Sequence, residues 1–403
     1  MHREPLALLA RLRSEHPRLF RRSRVLECGS YIINGSPRGM FADGEYTGID
    51  WRAGPGVDVV SMVHEFESDK PFDVVLSTEM LEHDPHWQAS VRAMVRQVGP
   101  GGALILTWAS PKRRDHEIDC APQDGYYAGI DVGDVLAIVN EAPGWWKIEA
   151  SIVASGEDCQ LVAMKPAVSV VIGTVGQPAL VHCAVQEIRR LTSLPFEIVL
   201  VDNGSTAKDS ALLKSIIVET LIHSERPLGY AAAYNAGIAA CHGKYIVLLN
   251  NDAWPTHRGW DNRLASILEQ VQGAMIAVPT ASRCWSPDQR ADGPQKDDCQ
   301  LIESKRVAFV AVMLKREVLD LIGPLDERFG EGCFEDDDYC LRVDQAGGRI
   351  MIDPATFFFH VGGVTMHTLD DYAGLLKRNG LIFENKWKDS PGYAETTIDQ
   401  TSG

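Results

Sequence analysis

An apolar run feeding a glycine turn occurs twice in this chain, at Arg24-Val25-Leu26-Glu27-Cys28-Gly29 and at Ala167-Val168-Ser169-Val170-Val171-Ile172-Gly173-Thr174. After each, short strand-like runs alternate with helical patterns. Such alternation is the signature of α/β sheets with parallel strands, because a parallel pair needs a crossover helix. A length of 403 residues has room for two such domains, each with its own core. The chain therefore reads as two tandem α/β domains: an N-terminal amphipathic helix over 1–23, a first domain over 24–165, a second over 166–388 and a disordered tail over 389–403. Pro166, just ahead of a new apolar strand, marks the boundary, and Ser390, Pro391 and Gly392 mark the tail. Strands are expected near Val25–Cys28, Tyr46–Ile49, Phe72–Ser77, Ala103–Trp108, Ser151–Ala154 and Gln160–Met164. In the second half they are expected near Val168–Ile172, Glu197–Val201, Tyr245–Leu249, Met275–Val278 and Val307–Leu314. Arg283–Ser304, with Trp285, Pro287, Pro294 and mixed charges, reads as a loop on the acceptor side of a site.

Composition excludes several classes. The formal charge of −16 argues against a nucleic-acid partner, since phosphate backbones are held by basic surface. Small phosphorylated ligands stay open, because a cation and local N–H groups outweigh the global field. The nine cysteines form no C-x-x-C pair and are odd in number, which points to a reducing, cytoplasmic setting rather than to zinc or a disulfide framework. No apolar run is long enough to span a bilayer. The segment Met1–Arg24 interleaves leucines with arginines; it reads as a helix resting on the following domain, with peripheral contact at the inner membrane face as the alternative.

Two acidic stretches carry the chemistry. Leu248-Leu249-Asn250-Asn251-Asp252 ends an apolar run, where a carboxylate can hold a divalent cation against a diphosphate. Phe334-Glu335-Asp336-Asp337-Asp338-Tyr339-Cys340-Leu341-Arg342 opens a helical pattern through Tyr339, Leu341 and Val343. Its carboxylates can take a proton from an incoming hydroxyl, or simply be the solvated start of a helix. Thr174, Asp202 and Asp252 each follow a strand, so they would converge on one crevice beyond the sheet.

Residues 167–385 resemble the family 2 inverting glycosyltransferases of GT-A fold. The likeness rests on Val170-Val171-Ile172-Gly173-Thr174, Ile198-Val199-Leu200-Val201-Asp202-Asn203-Gly204-Ser205, the small-residue segment Leu228-Gly229-Tyr230-Ala231-Ala232-Ala233-Tyr234-Asn235-Ala236-Gly237, and the two acidic stretches. The resemblance implies a nucleotide-sugar donor bound by Thr174, Asp202, Asn203, Asn235 and Asn251. It also implies Mn²⁺ or Mg²⁺ on Asp252, with His360 as a second ligand or else a satisfied core histidine, and Asp336 as general base, with Asp337 the fallback. Asn250 stands where the family has the first acid of its metal motif.

Residues 24–165 resemble class I methyltransferases that use S-adenosylmethionine. The motifs are Val25-Leu26-Glu27-Cys28-Gly29-Ser30, Tyr46-Thr47-Gly48-Ile49-Asp50, Phe72-Asp73-Val74-Val75-Leu76-Ser77-Thr78-Glu79-Met80-Leu81-Glu82-His83 and Val98-Gly99-Pro100-Gly101-Gly102-Ala103-Leu104-Ile105-Leu106. The resemblance implies cofactor contacts from Glu27, Gly29, Asp50, His64 and Ser77. Tyr31 replaces the usual second glycine, and Gly35 is the substitute in a longer loop. His83, His86 and His116 are candidate bases or surface histidines.

Together the two likenesses imply a bifunctional enzyme that glycosylates a glycan or glycolipid acceptor and methylates it. The alternatives are a glycosyltransferase with an inactive docking domain, or a non-catalytic binding module.

Overall fold

The computed structural model describes residues 3–41, 43–114, 125–363 and 371–390. The expectations about His116 and about the tail beyond residue 390 lie outside the described residues. The chain divides into two compact units, Met1–Ala167 and Val168–Gly403, each a mixed α/β fold around one sheet.

The first unit opens with helix α1 (Arg3–Glu15). Its Leu8, Leu9 and Leu12 are buried in one cluster with Phe20, Val25, Val74, Leu76 and Ala103, so its apolar stripe is used on its own sheet, while Leu6 is exposed. The strands are β1 (Val25–Cys28), β2 (Tyr46–Asp50), β3 (Val59–Val60), β4 (Phe72–Thr78), β5 (Val98–Ala109), β6 (Lys147–Val153) and β7 (Asp158–Met164). Helices α2 (Trp87–Gln97) and α3 (Val132–Asn140) lie between β4 and β6 in sequence. The sheet order is β3-β2-β1-β4-β5-β7-β6. Leu26, Cys28 and Val75 enter the core on one face, and Val25, Val74 and Leu76 that on the other. Burial on both faces is why these strands read as continuous apolar runs. Strand order reverses between β1 and β4, where ligands of doubly wound sheets bind beyond the carboxyl ends.

The second unit runs β8 (Val168–Thr174), α4 (Pro178–Leu191), β9 (Phe196–Asn203), α5 (Ala207–Leu213), β10 (Thr220–Ser224), α6 (Tyr230–Ala239), β11 (Tyr245–Asn250), β12 (Ala253–Pro255), α7 (Trp260–Gln270) and β13 (Ala274–Ala281). It continues through β14 (Ile302–Ser304), β15 (Ala311–Lys315), α8 (Arg316–Ile322), α9 (Glu335–Gln345), β16 (Arg349–His360) and α10 (Tyr372–Trp387). The order is β10-β9-β8-β11-β15-β13-β16-β12, with β14 on β16. Here the reversal falls between β8 and β11.

Both sheets are mixed, not wholly parallel as the alternation suggests. The connection between β6 and β7 is too short for a crossover, so the pair is antiparallel. In the second unit β15 runs antiparallel to β11 and β13. The expected strand Val307–Leu314 begins only at Ala311. Ahead of it the buried Gln289 amide takes both the N–H and the carbonyl of Ala308, at 2.9 and 3.2 Å. Ala154 ends outside β6, in a 3-10 turn. Arg283–Ser304 is not wholly a loop, since its last three residues pair with β16 as β14. In the long β16 Pro354 interrupts the apolar pattern, and the register against β13 shifts there. Among the described residues, no helix is long and apolar enough to cross a membrane.

Candidate functional site

In the first unit Gly29 and Asp50 follow or end neighbouring strands, and Ser77 lies across from Cys28 on β4. Gly29 has φ +80°, and a Cβ there would meet the Met80 side chain at 2.5 Å, so this turn requires glycine. Its N–H donates to the Ile49 carbonyl at 2.9 Å. The Asp50 carboxylate accepts the N–H of Tyr31 at 3.3 Å and of Arg52 at 3.2 Å. Burial raises its pKa despite these donors. Tyr31 occupies the place of the missing glycine: Arg52 lies over its ring at 3.8 Å, and a Cβ on Gly54 would strike that ring at 2.1 Å. Glu27 is buried and accepts the Tyr46 hydroxyl at 2.9 Å; burial pushes its pKa up to about 7. The Ser77 hydroxyl is fully buried without a hydrogen-bond partner. His64 sits in a 3-10 turn with its ring 4.8 Å from that of His86. His83 lies against Tyr127, ring centroids 5.3 Å apart.

In the second unit the parallel register aligns Thr174 with Asp202, and Gly173 with Asn250. Asn251 donates its amide to Thr174 Oγ1 at 2.8 Å. Asp202 faces His223 Nδ1 at 2.8 Å and accepts the Ser205 N–H at 3.2 Å. Burial would raise its pKa, but the bonds from Ser205, Ser210 and His223 outweigh it and hold the carboxyl below its usual range. Asn203 accepts the Leu228 N–H at 2.7 Å and donates to the Gly229 carbonyl at 3.2 Å, fixing the glycine turn ahead of α6. Asn235 donates to the Leu325 carbonyl and to Glu327, and accepts the Leu325 N–H, so its amide braces α6 against residues 325–327.

Antiparallel pairing of Ala253 with His360 brings Asp252 beside that histidine. His360 Nδ1 lies 2.5 Å from the Arg283 carbonyl, which can only accept, so the ring proton is on Nδ1. Nε2 lies 3.2 Å from Asp252 Oδ1 and 3.5 Å from the Asn250 amide nitrogen. The other Asp252 oxygen accepts the Gly362 N–H at 3.0 Å.

The four acids opening α9 are all buried, and their surroundings differ. Glu335 Oε2 has no hydrogen-bond partner; burial and then Asp336 raise its pKa well above the carboxylate range. Asp336 accepts the Trp285 indole N–H at 2.9 Å on one oxygen and the Asp337 N–H at 2.9 Å on the other. Burial raises its pKa, opposed chiefly by the Trp285 bond. Asp337 is gripped by Arg306, Nε to Oδ1 2.7 Å, yet burial and the neighbouring Asp336 still push it up to about 7. Asp338 is ion-paired to Lys386 at 2.5 Å and Arg342 at 3.1 Å, and accepts the Trp387 indole N–H at 2.9 Å.

One short loop links the two acidic regions, because Arg283 meets His360 and Trp285 meets Asp336. Tyr230 and Tyr234, ring centroids 4.4 Å apart, also lie between them. Burial raises both phenol pKa values; Tyr234, Glu335 and Asp336 add to it at Tyr230, and Asp252 and Glu335 add to it more weakly at Tyr234.

Residues 169–322 match the family model described as Glycosyl transferase family 2. The second unit carries a family 2 glycosyltransferase domain. The match ends before α9 and β16, which supply Asp336 and His360. The O-antigen biosynthesis protein RfbC of Myxococcus xanthus is 27% identical over 220 residues, 48% of this chain and 17% of that protein, so the chain spans under a fifth of this relative's length. Among solved structures, a mannosyltransferase from Pyrobaculum calidifontis in complex with GDP-Man and Mn²⁺ aligns with 48% of this chain and 56% of its own, at 16% identity and TM-score 0.39. The N-methyltransferase NodS from Bradyrhizobium japonicum, in complex with S-adenosyl-L-homocysteine, aligns with 41% of this chain and 87% of its own, at 18% identity and TM-score 0.31.

Two contacts of the glycosyltransferase domain were not assigned from the sequence. The only signal for Trp285 was an aromatic residue in a polar, proline-containing loop. Arg306 gave none, since its partner Asp337 is remote in sequence.

Proposed function

We propose that the glycosyltransferase domain transfers a sugar from a nucleotide-sugar donor to a hydroxyl acceptor with inversion, using Asp336 as general base. Asp336 removes the acceptor proton while the oxygen attacks the anomeric carbon and the bond to the nucleoside diphosphate breaks. Asp337 is the weaker candidate because Arg306 already holds its carboxylate.

The observation that carries this reading is the approach of Asp252 Oδ1 and His360 Nε2 to 3.2 Å, with the Arg283–Trp285 loop touching both His360 and Asp336. A buried carboxylate oxygen and an imidazole nitrogen this close can both ligate one divalent cation, so the residues fit such an ion. Among the described residues no group of three or more His, Cys, Asp or Glu gathers to hold a metal. A two-residue site suits a cation completed by diphosphate oxygens and water. When bound, the ion would supply charge neutralisation to the departing diphosphate. Thr174, Asp202 and Asn251 line the adjoining strand ends and would contact the nucleotide.

The test is nucleoside diphosphate release from a donor panel, with Mn²⁺ and with chelator. Asp336→Asn is expected to keep donor affinity and lose roughly 10²–10⁴-fold in turnover. Near-normal rates in that variant would remove Asp336 from the role.

For the first unit we infer S-adenosylmethionine binding at the β1/β4 reversal, supported by the Gly29 turn, the Asp50 carboxylate and the Ser77 hydroxyl. Methylation of the same glycan is the reading that joins the two halves. Tyr31, which packs on Arg52 and Gly54 in place of a glycine, favours a second reading, a docking domain without methyl transfer. Calorimetry with S-adenosylmethionine and its demethylated product decides between them: no binding at millimolar concentration leaves the docking role.

A further inference from the structure

Trp285 combines exposure with a buried anchor. It is 45% exposed, yet its indole N–H is held 2.9 Å from a buried carboxylate, that of Asp336. The loop carrying it is tied down on both sides. Arg283 donates to the Val361 carbonyl at 3.0 Å, and Arg290 donates to the Cys284 carbonyl at 2.6 and 3.1 Å. The Arg306 guanidinium lies over the indole, 5.1 Å from the ring, while it bonds to Asp337. One ring face is therefore occupied by a cation, and the residue is still nearly half exposed.

We propose that Trp285 is a positioning and specificity residue: its N–H aims the Asp336 carboxylate at the acceptor hydroxyl, and its exposed ring is the platform for a sugar ring of the acceptor. The inference rests on the reading of Asp336 as the base. An indole N–H lies in the ring plane, so a hydroxyl that shares the carboxylate gripped by that N–H lies at the indole edge. The group carrying the hydroxyl then lies along the ring. A pyranose suits that place, with hydroxyls on its rim and an apolar C–H face that packs on an aromatic surface. The charged and titratable groups around Asp336 are Glu335, Asp337 and Asp338 of its own helix, Arg306 from the segment before β15, Tyr230 from α6, and the thiols of Cys333 and Cys340. Trp285 is the neutral side-chain donor to the carboxylate, beside the backbone N–H of Asp337. Its loss disfavours the ionised base, so activity should require higher pH.

The experiment uses the full chain, the active donor and simple pyranoside acceptors. Trp285→Phe keeps a ring and removes the N–H. It is expected to lower kcat ten- to a hundredfold, move the acid limb of the pH–rate profile up by about one unit, and leave the pyranoside KM within about threefold. Trp285→Leu removes both and is expected to raise that KM at least tenfold in addition. Donor affinity and unfolding midpoint, unchanged in both variants, separate these effects from misfolding. Transfer by the wild-type chain with an unmoved acid limb in Trp285→Phe, or an unmoved pyranoside KM in Trp285→Leu, overturns the proposal alone. A wild-type chain that binds no nucleotide-sugar donor overturns the underlying reading and the proposal with it.

Discussion

Glu335, Asp336, Asp337 and Asp338 are adjacent, but successive helical residues point about 100° apart, so each meets a different neighbour. Arg306 balances Asp337, and Lys386 with Arg342 balances Asp338. Asp336 has only neutral donors on its oxygens, so no ion pair ties up its carboxylate as Arg306 ties up that of Asp337. Glu27 shows the same principle in the first unit, where burial lifts it to about 7 and Tyr46 supplies one hydrogen bond. A carboxyl raised on folding contributes most below its unfolded pKa, near 4.5, and that contribution is lost as pH rises through 7. Glu27→Gln keeps an acceptor for Tyr46 and removes the charge. It should stabilise the first unit at pH 8 by up to about 3 kcal/mol and change it little at pH 4. Thermal unfolding across that range checks the sign; equal shifts at both ends would show that Glu27 is not the titrating group.

At the scale of elements, α9 is a platform held from below by α10. Asn379 of α10 donates to the carbonyls of Phe329, Gly332 and Cys333, and Trp387 donates to Asp338. Phe334, Leu341, Phe383 and Trp387 form an apolar cluster beside these bonds. The left-handed residues Cys333 and Phe334, φ 71° and 74°, lie immediately before the acids and are held by that cluster and those carbonyl contacts. Asp338 is thus a structural acid beside a catalytic candidate. Asp338→Ala leaves Arg342 without its buried carboxylate and Lys386 with Asp326 alone, and should cost about 3 kcal/mol in the second unit, measured by denaturant unfolding. Asp336→Asn should change stability by much less than it changes turnover. If both variants lost stability equally, the division of labour along α9 would be wrong.

For the whole molecule, two units with separate cores predict that the two proposed activities, if both are present, are separable. Asp50→Ala should abolish binding of S-adenosylmethionine and leave nucleoside diphosphate release intact, while Asp336→Asn should do the reverse. A single substitution that removed both would mean the units are coupled. The chain's charge of −16 fits partners that are small and locally neutralised rather than polyanionic.

Sequence alone determined what local pattern can specify. Strand β1 falls on the four residues expected, and β8, β9 and β11 lie where apolar runs end in Thr174, Asp202 and Asn250. The helix opening at Glu335 was legible from its periodicity, and the glycine at 29 from the turn it must make. These signals are local because hydrophobic period and turn chemistry are set by neighbours in the chain. The tertiary structure decided pairing. It joined β13 to β16 in spite of Pro354, committed Asn235 to residues 325–327, and chose Trp285 for Asp336, Arg306 for Asp337 and Trp387 for Asp338. Those choices depend on side-chain direction and on which distant segment the fold delivers to each direction, and no run of adjacent residues encodes either.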